Sequence, residues 1–138
     1  MTIFDTIFNN ACIEAGFTQY IVYSNKDRDI KTDRHVTTWP ALFRQFTEEV
    51  RPLFDEQQRY ERNMVLYCAH VGFIKATPED ISVNLEDIMD KFVVFREYLR
   101  THKIQVEFTN SPFPQWEVTK VDDYGYVFNL KLTYHKAC

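Results

Sequence analysis

The chain has 138 residues, 45% of them hydrophobic and 16% aromatic, with a net charge of −4. These totals exclude a disordered chain, and the acidic balance argues against general nucleic-acid coating, which needs a basic surface to displace counterions. Three glycines are too few for a Gly-rich phosphate loop, and the length suits one domain, 1–138, that buries a core without staples.

Residues 1–8 carry no basic n-region and no apolar run of spanning length, so a soluble protein made and kept in the cytoplasm is expected, with no membrane contact. Cys12, Cys68 and Cys138 are odd in number and widely spaced, which reads as free thiols.

Residues 2–16 predict a first helix: Ile3, Ile7, Phe8, Ala11, Cys12 and Ala15 recur at helical spacing, and Gly16 suits the position after the end. Residues 18–23 have the β-branched and aromatic content of a strand. Residues 24–34 (SNKDRDIKTDR) are the most polar stretch, read as a solvated hairpin tip or loop, or as a charged arm touching a neighbouring subunit. In 35–43, Val36, Trp39, Leu42 and Phe43 point to a strand that Pro40 demotes to an edge or bulged one. Residues 44–62, interrupted by Pro52, read as a short helix or a long loop. Residues 63–74 are apolar on both alternating faces, apart from His70, as in a central strand covered on both sides or one shared between two subunits.

The clearest element is a long helix at 77–102. Thr77 is a good N-cap, Pro78 suits the first position and Asp80 lies three residues on. Ile81, Leu85, Ile88, Phe92, Phe95 and Leu99 draw one apolar stripe, with Met89 and Val93 widening it. Three strands follow. Residues 103–110 alternate through Ile104, Val106 and Phe108. Residues 111–114 (SPFP) read as a turn, and 115–121 as a strand with Trp116 and Val118 on one face. Residues 122–125 (DDYG) read as a connection, and 126–135 give the cleanest period-two pattern in the chain. The expected fold is α+β: an antiparallel sheet packed by one long mid-chain helix and a shorter N-terminal helix.

No chemistry is announced by the residues. His35, His70, His102 and His135 lack metal-ligand spacing, so no metal or cofactor is expected. His70 in the apolar strand reads as a hydrogen-bonded core or interface residue. Cys68 lies on the same face about 6.6 Å away, too far for an automatic pair, and no Gly-flanked nucleophile accompanies it. Glu86, Asp87 and Asp90 fall on the polar back of the long helix. Arg59, Tyr60 and Arg62 are diluted by Glu56 and Glu61, so direct sequence-specific nucleic-acid binding is not expected. The surplus lies in rings: Trp39, Phe43, Phe46, Phe54, Phe73, Phe113 and Trp116 exceed what one helix can cover, and ring-rich surface suits subunit interfaces.

The run Trp39-Pro40-Ala41-Leu42-Phe43 and the closing Tyr124-Gly125-Tyr126-Val127-Phe128-Asn129-Leu130-Lys131-Leu132, with the helices in this order, resemble small neck and tail-completion proteins of tailed bacteriophages. The low-glycine, ring-rich style is similar to structural proteins of phages infecting Bacteroides-type hosts. The resemblance implies a non-enzymatic virion subunit, made in the host cytoplasm. It would form a homo-oligomeric ring in the neck or tail and touch portal, neck or tail subunits, with no cofactor. Residues 44–62 are longer and more charged than that pattern, which leaves terminator and connector roles open. Candidate subunit-interface residues are Arg28, Arg34, Trp39, Phe43, Arg59, Arg62 and Trp116. The alternative is a small cytoplasmic binding module or assembly chaperone acting through a protein partner.

Overall fold

The structure, a computed structural model, describes residues 2–23, 38–45, 49–56, 58–116 and 122–135. Helix α1 (Ile3–Ala15) begins at Thr2, whose hydroxyl accepts from the Asp5 amide at 3.1 Å, and ends at Gly16 in the left-handed region (φ 94°). Helix α2 (Pro78–Thr101) opens with a reciprocal cap. The Asp80 amide donates to the Thr77 hydroxyl at 3.1 Å, and the Thr77 amide donates to the Asp80 carboxylate at 3.3 Å. Both helices lie where their spacing predicts.

The strands are β1 (Gln19–Tyr23), β2 (Ala41–Gln45), β3 (Glu49–Pro52), β4 (Arg59–Val71), β5 (Gln105–Phe108), β6 (Phe113–Trp116) and β7 (Asp123–His135). They form one largely antiparallel sheet in the order β1-β2-β4-β7-β5, with β3 on β4 and β6 on β7. The centre is the β4–β7 pair, 13 residues each, in register from Arg59–His135 to Val71–Asp123. Each central strand is flanked by a broken one. Between the pairs Arg44–Leu66 and Glu49–Asn63 the outer strand advances five residues while β4 advances three. Between Phe108–Leu130 and Phe113–Val127 the counts are again five and three. Both two-residue excesses fall at one level of the sheet, where Val65 faces Asn129. Extra residues of this kind raise local twist.

Both helices cover one face of this sheet. Phe4, Phe8, Cys12, Ile88, Phe92, Phe95 and Leu99 from the helices meet Leu42, Leu66, Cys68, Phe128, Leu130 and Leu132 in one core. The Phe8 ring meets Phe95 edge-on at 5.1 Å, and Phe4 stacks on Tyr134 at 4.6 Å. The opposite face holds a smaller buried cluster of Ala41, Phe43, Tyr67 and Ala69, with Trp39 and Val127 against it. The α+β expectation holds, and the two-sided burial of β4 follows its two-sided apolar sequence.

Several local expectations are corrected. β1 and β2 run parallel, so they are not the two arms of a hairpin. Parallel partners need a long connection, and residues 24–40 supply the length. Residues 24–37 lie outside the described residues, as do 117–121. The stretch 44–62, expected as helix or loop, contains the end of β2, all of β3 and the start of β4. Pro52 sits at the last position of β3, where a missing N–H is tolerated.

Phe113 and Pro114, expected in a turn, begin β6, and β7 starts at Asp123 rather than after Gly125. Gly125 is there for close approach: a Cβ on it would lie 1.9 Å from the Cys68 carbonyl oxygen across the ladder. Val93 does not widen the core stripe. It is 65% exposed, because one step beyond Phe92 turns it about 100° around the helix.

Candidate subunit interface

The seven candidate interface residues do not form one patch. Arg28 and Arg34 lie outside the described residues. Phe43 is fully buried against Tyr67, with ring centroids 5.9 Å apart, so it belongs to the chain's own core and offers no area to a neighbour. Its burial follows from register: an odd-numbered β2 residue joins the odd-numbered residues of β4 on the face away from the helices. Trp39, half-buried, lies 6.0 Å from the Phe43 ring and closes that cluster.

Arg62 is a packing residue. Its guanidinium sits 4.2 Å above the Phe4 ring and 5.8 Å from the Tyr134 ring, and its Nε donates to the Tyr134 hydroxyl at 3.2 Å. Arg44 does the same nearby at 6% exposure. It donates to Asp5 at 3.1 Å and to the Tyr20 hydroxyl at 3.0 Å, and it lies 4.8 Å from the Phe8 ring. Burial works against the Asp5 carboxylate, but bonds from Thr2 and Arg44 outweigh it and hold the group below its ordinary pKa. Sequence reading missed Arg44 because a charged residue inside an apolar strand carries no sign of the rings stacked over it.

Arg59 and Trp116 mark opposite ends of the sheet. Arg59 pairs with His135 at the end of β7, whereas Trp116 pairs with Tyr124 at its start. Ten or more residues of strand put roughly 35 Å between those ends. Trp116, 47% exposed, meets Phe73 edge-on at 5.8 Å, and Phe113 on the same strand is 40% exposed. Among the described residues nothing pairs with the outer edge of β6 or β5.

Arg59 braces the turn between β3 and β4. Asp55 accepts from the Arg59 amide at 3.1 Å and from its Nε at 2.7 Å, and the Leu53 amide donates to the Arg59 carbonyl at 3.0 Å. These bonds present Phe54 at 91% exposure with φ at 53°, a left-handed backbone that a bulky residue rarely adopts. A ring held out on a braced turn is the most exposed large apolar side chain among the described residues. The turn was missed because Pro52 disguises the end of β3. The signal was the period-two run Tyr60, Arg62, Met64, Leu66, Cys68, which begins before residue 63.

His70 and Cys68 do not pair. The His70 Nε2 lies 3.0 Å from the Asp87 carboxylate, whose other oxygen accepts from Lys91 at 2.9 Å. Partial burial opposes the Asp87 charge, but the Lys91 and His70 bonds outweigh it and hold its pKa below the ordinary value. Beside it the Asn84 amide donates to the Tyr124 hydroxyl, and on the other face the Tyr67 hydroxyl donates to buried Asp123. Burial pushes the Cys12 and Cys68 thiols up, which keeps both protonated. Among the described residues no group of three His, Cys, Asp or Glu side chains is placed to hold a metal ion. No helix among them is long and apolar enough to cross a membrane.

No protein-family model matches the chain, and no curated protein matches it significantly.

Proposed function

We propose that this chain is a non-enzymatic structural subunit that works by contact with copies of itself. In keeping with the resemblance in its sequence, the assembly is a ring in the neck or tail of a bacteriophage virion. The observation that carries the reading is the placement of large apolar side chains on hydrogen-bonded, outward-facing elements. Phe54 projects from a turn tied by three hydrogen bonds through Arg59, and Phe113 and Trp116 stand on β6, whose outer edge has no partner among the described residues. An interface core of this kind is rich in rings and poor in charge. Head-to-tail contact between different surfaces of one chain closes into a ring when the rotation between copies permits.

The test is molar mass in solution by light scattering, with negative-stain images of the same sample. Closed rings several times 16.6 kDa in mass would support the reading. A 16.6 kDa species at every concentration would count against self-assembly.

A further inference from the structure

The long helix is electrically divided. From Pro78 to Asp90 it carries Glu79, Asp80, Glu86, Asp87 and Asp90 and no cation; from Lys91 to Thr101 it carries Lys91, Arg96 and Arg100 against Glu97 alone, with Lys103 just past its end. The helix dipole accounts for acids in the first turn and cations in the last, since its effect fades beyond one turn. It does not account for Glu86 and Asp90, which lie two and three turns in. Asp80 is used by the cap and Asp87 by His70 and Lys91. Glu79, Glu86 and Asp90 have no ion-pair partner among the described residues. They lie on one exposed stripe with Val83 and Val93, which are 63% and 65% exposed.

The cationic end is gathered by the fold from three elements. Arg59 at the start of β4, His135 at the end of β7, and Arg100 and Lys103 around the end of α2 line one open groove of about 320 Å³, together with Gln105, Thr133 and Ile104. Lys103 has no ion-pair partner among the described residues. Arg59 is already paired with Asp55 at 2.7 Å, whereas Arg100 is held, among the described residues, by Glu97 alone in a pair that is 74% and 57% exposed, and such a surface pair exchanges at little cost.

We infer that the acidic stripe Glu79–Glu86–Asp90 of one copy docks on the cationic groove of the next, where Arg100 and Lys103 receive it, making a head-to-tail contact. The contact rests on the self-assembly reading above and names the surfaces that carry it. The two surfaces lie about 20 Å apart along α2, from Glu86 to Arg100, so one copy cannot close the contact on itself. A second copy supplies the matching charge, and Val83 and Val93 supply apolar area between the carboxylates. Charge complementarity of this kind fixes orientation and favours one partner over like-charged alternatives.

The test is charge reversal on the full chain, read by sedimentation at 50 mM and 500 mM salt, with circular dichroism confirming the fold. E86K/D90K and R100E/K103E are each expected to weaken self-association at least tenfold. The four-fold variant E86K/D90K/R100E/K103E, with both surfaces inverted, is expected to return to within about threefold of the original chain, and high salt to weaken both of these assemblies. If the original chain assembles but neither reversal alters it, or the four-fold variant folds without recovering, the contact is overturned while the self-assembly reading stands. If the original chain stays monomeric throughout, both are overturned. If self-association is untouched while R100E/K103E abolishes binding of a labelled 20-nucleotide DNA, the cationic groove serves a polyanion and the contact is again overturned.

Discussion

The rings of Phe92 and Phe128 lie face to face, with centroids 4.0 Å apart and planes 4° from parallel. Phe92 is the centre of the α2 stripe and Phe128 the centre of β7, so this pair joins the long helix to the sheet. Phe92 is 2% exposed and Phe128 fully buried. Phe92→Ala is expected to cost about 3–5 kcal/mol, the range for a buried Phe truncated to Ala. Urea unfolding checks it, and a loss below about 1 kcal/mol would place the stripe outside the core.

Gly125→Ala is expected to be more disruptive than its single methyl suggests. The added Cβ meets the β4 backbone across the ladder, at 1.9 Å from the Cys68 oxygen and 2.7 Å from the Ala69 Cα. Backbone cannot rotate away as a side chain can, so the central pair must separate locally. The loss should reach about 3 kcal/mol or more, the upper range for overpacking. A thermal melt unchanged by the substitution would contradict the close approach.

Thr77→Ala removes the hydroxyl that accepts from the Asp80 amide and leaves half of the reciprocal cap. The expected cost is about 1 kcal/mol. Thr77→Ser should recover it, since serine caps as well as threonine, and the two variants compared by denaturant midpoint give the check.

The Asp87 and Asp5 carboxylates are held below their ordinary value of 3.8 in the folded chain. A group depressed on folding contributes stability that is fully present above its unfolded pKa and is lost as pH falls through its folded pKa. Stability is therefore expected to decline as pH drops below about 4 and to level off once both carboxylates are protonated. Asp87→Asn should flatten part of that decline while lowering stability at neutral pH. An unfolding series between pH 2 and pH 6 in which the variant parallels the original chain would count against the Lys91–Asp87–His70 arrangement.

Phe54→Ser separates assembly from folding. The side chain touches solvent over 91% of its area, so its loss should alter stability by no more than about 0.5 kcal/mol. If the ring enters a neighbouring copy, the same change forfeits the burial of a Phe side chain, about 1.5–3 kcal/mol, and weakens association roughly tenfold or more. Sedimentation of the two proteins at matched concentration decides it.

Elements whose apolar period matches their backbone period were legible in the sequence. Helix α2 announces itself through Thr77, Pro78, Asp80 and a stripe that the core accepts from Ile88 to Leu99, and β7 through its alternation. Residues 44–62 were not legible, because the strand there is broken and Pro52, Asp55 and Glu56 imitate loop composition. What makes β3 a strand is its pairing with β4, including Arg51 bonded to Glu61 opposite it at 2.9 Å, a long-range fact without a local sign. Gly125 misled for a related reason, since a glycine beside two aspartates looks like a turn until its neighbour across the ladder is known. At the candidate interface, the sequence offered Phe43 and Phe54 alike as surplus rings and could not tell Phe43, which the sheet encloses, from Phe54, which it displays.

The paired breaks in the flanking strands impose a rule of parity. Each outer strand carries two residues more than the central strand beside it, and two is the repeat of side-chain direction in a strand. Val50 on β3 therefore keeps the same orientation as Leu42 on β2, and Trp116 on β6 the same as Val106 on β5. That orientation is held by pairing, since a strand residue faces the same way as its partner across the ladder: Val50 follows Arg62, and Trp116 follows Tyr124. The margins of the sheet thus take their sidedness from its centre.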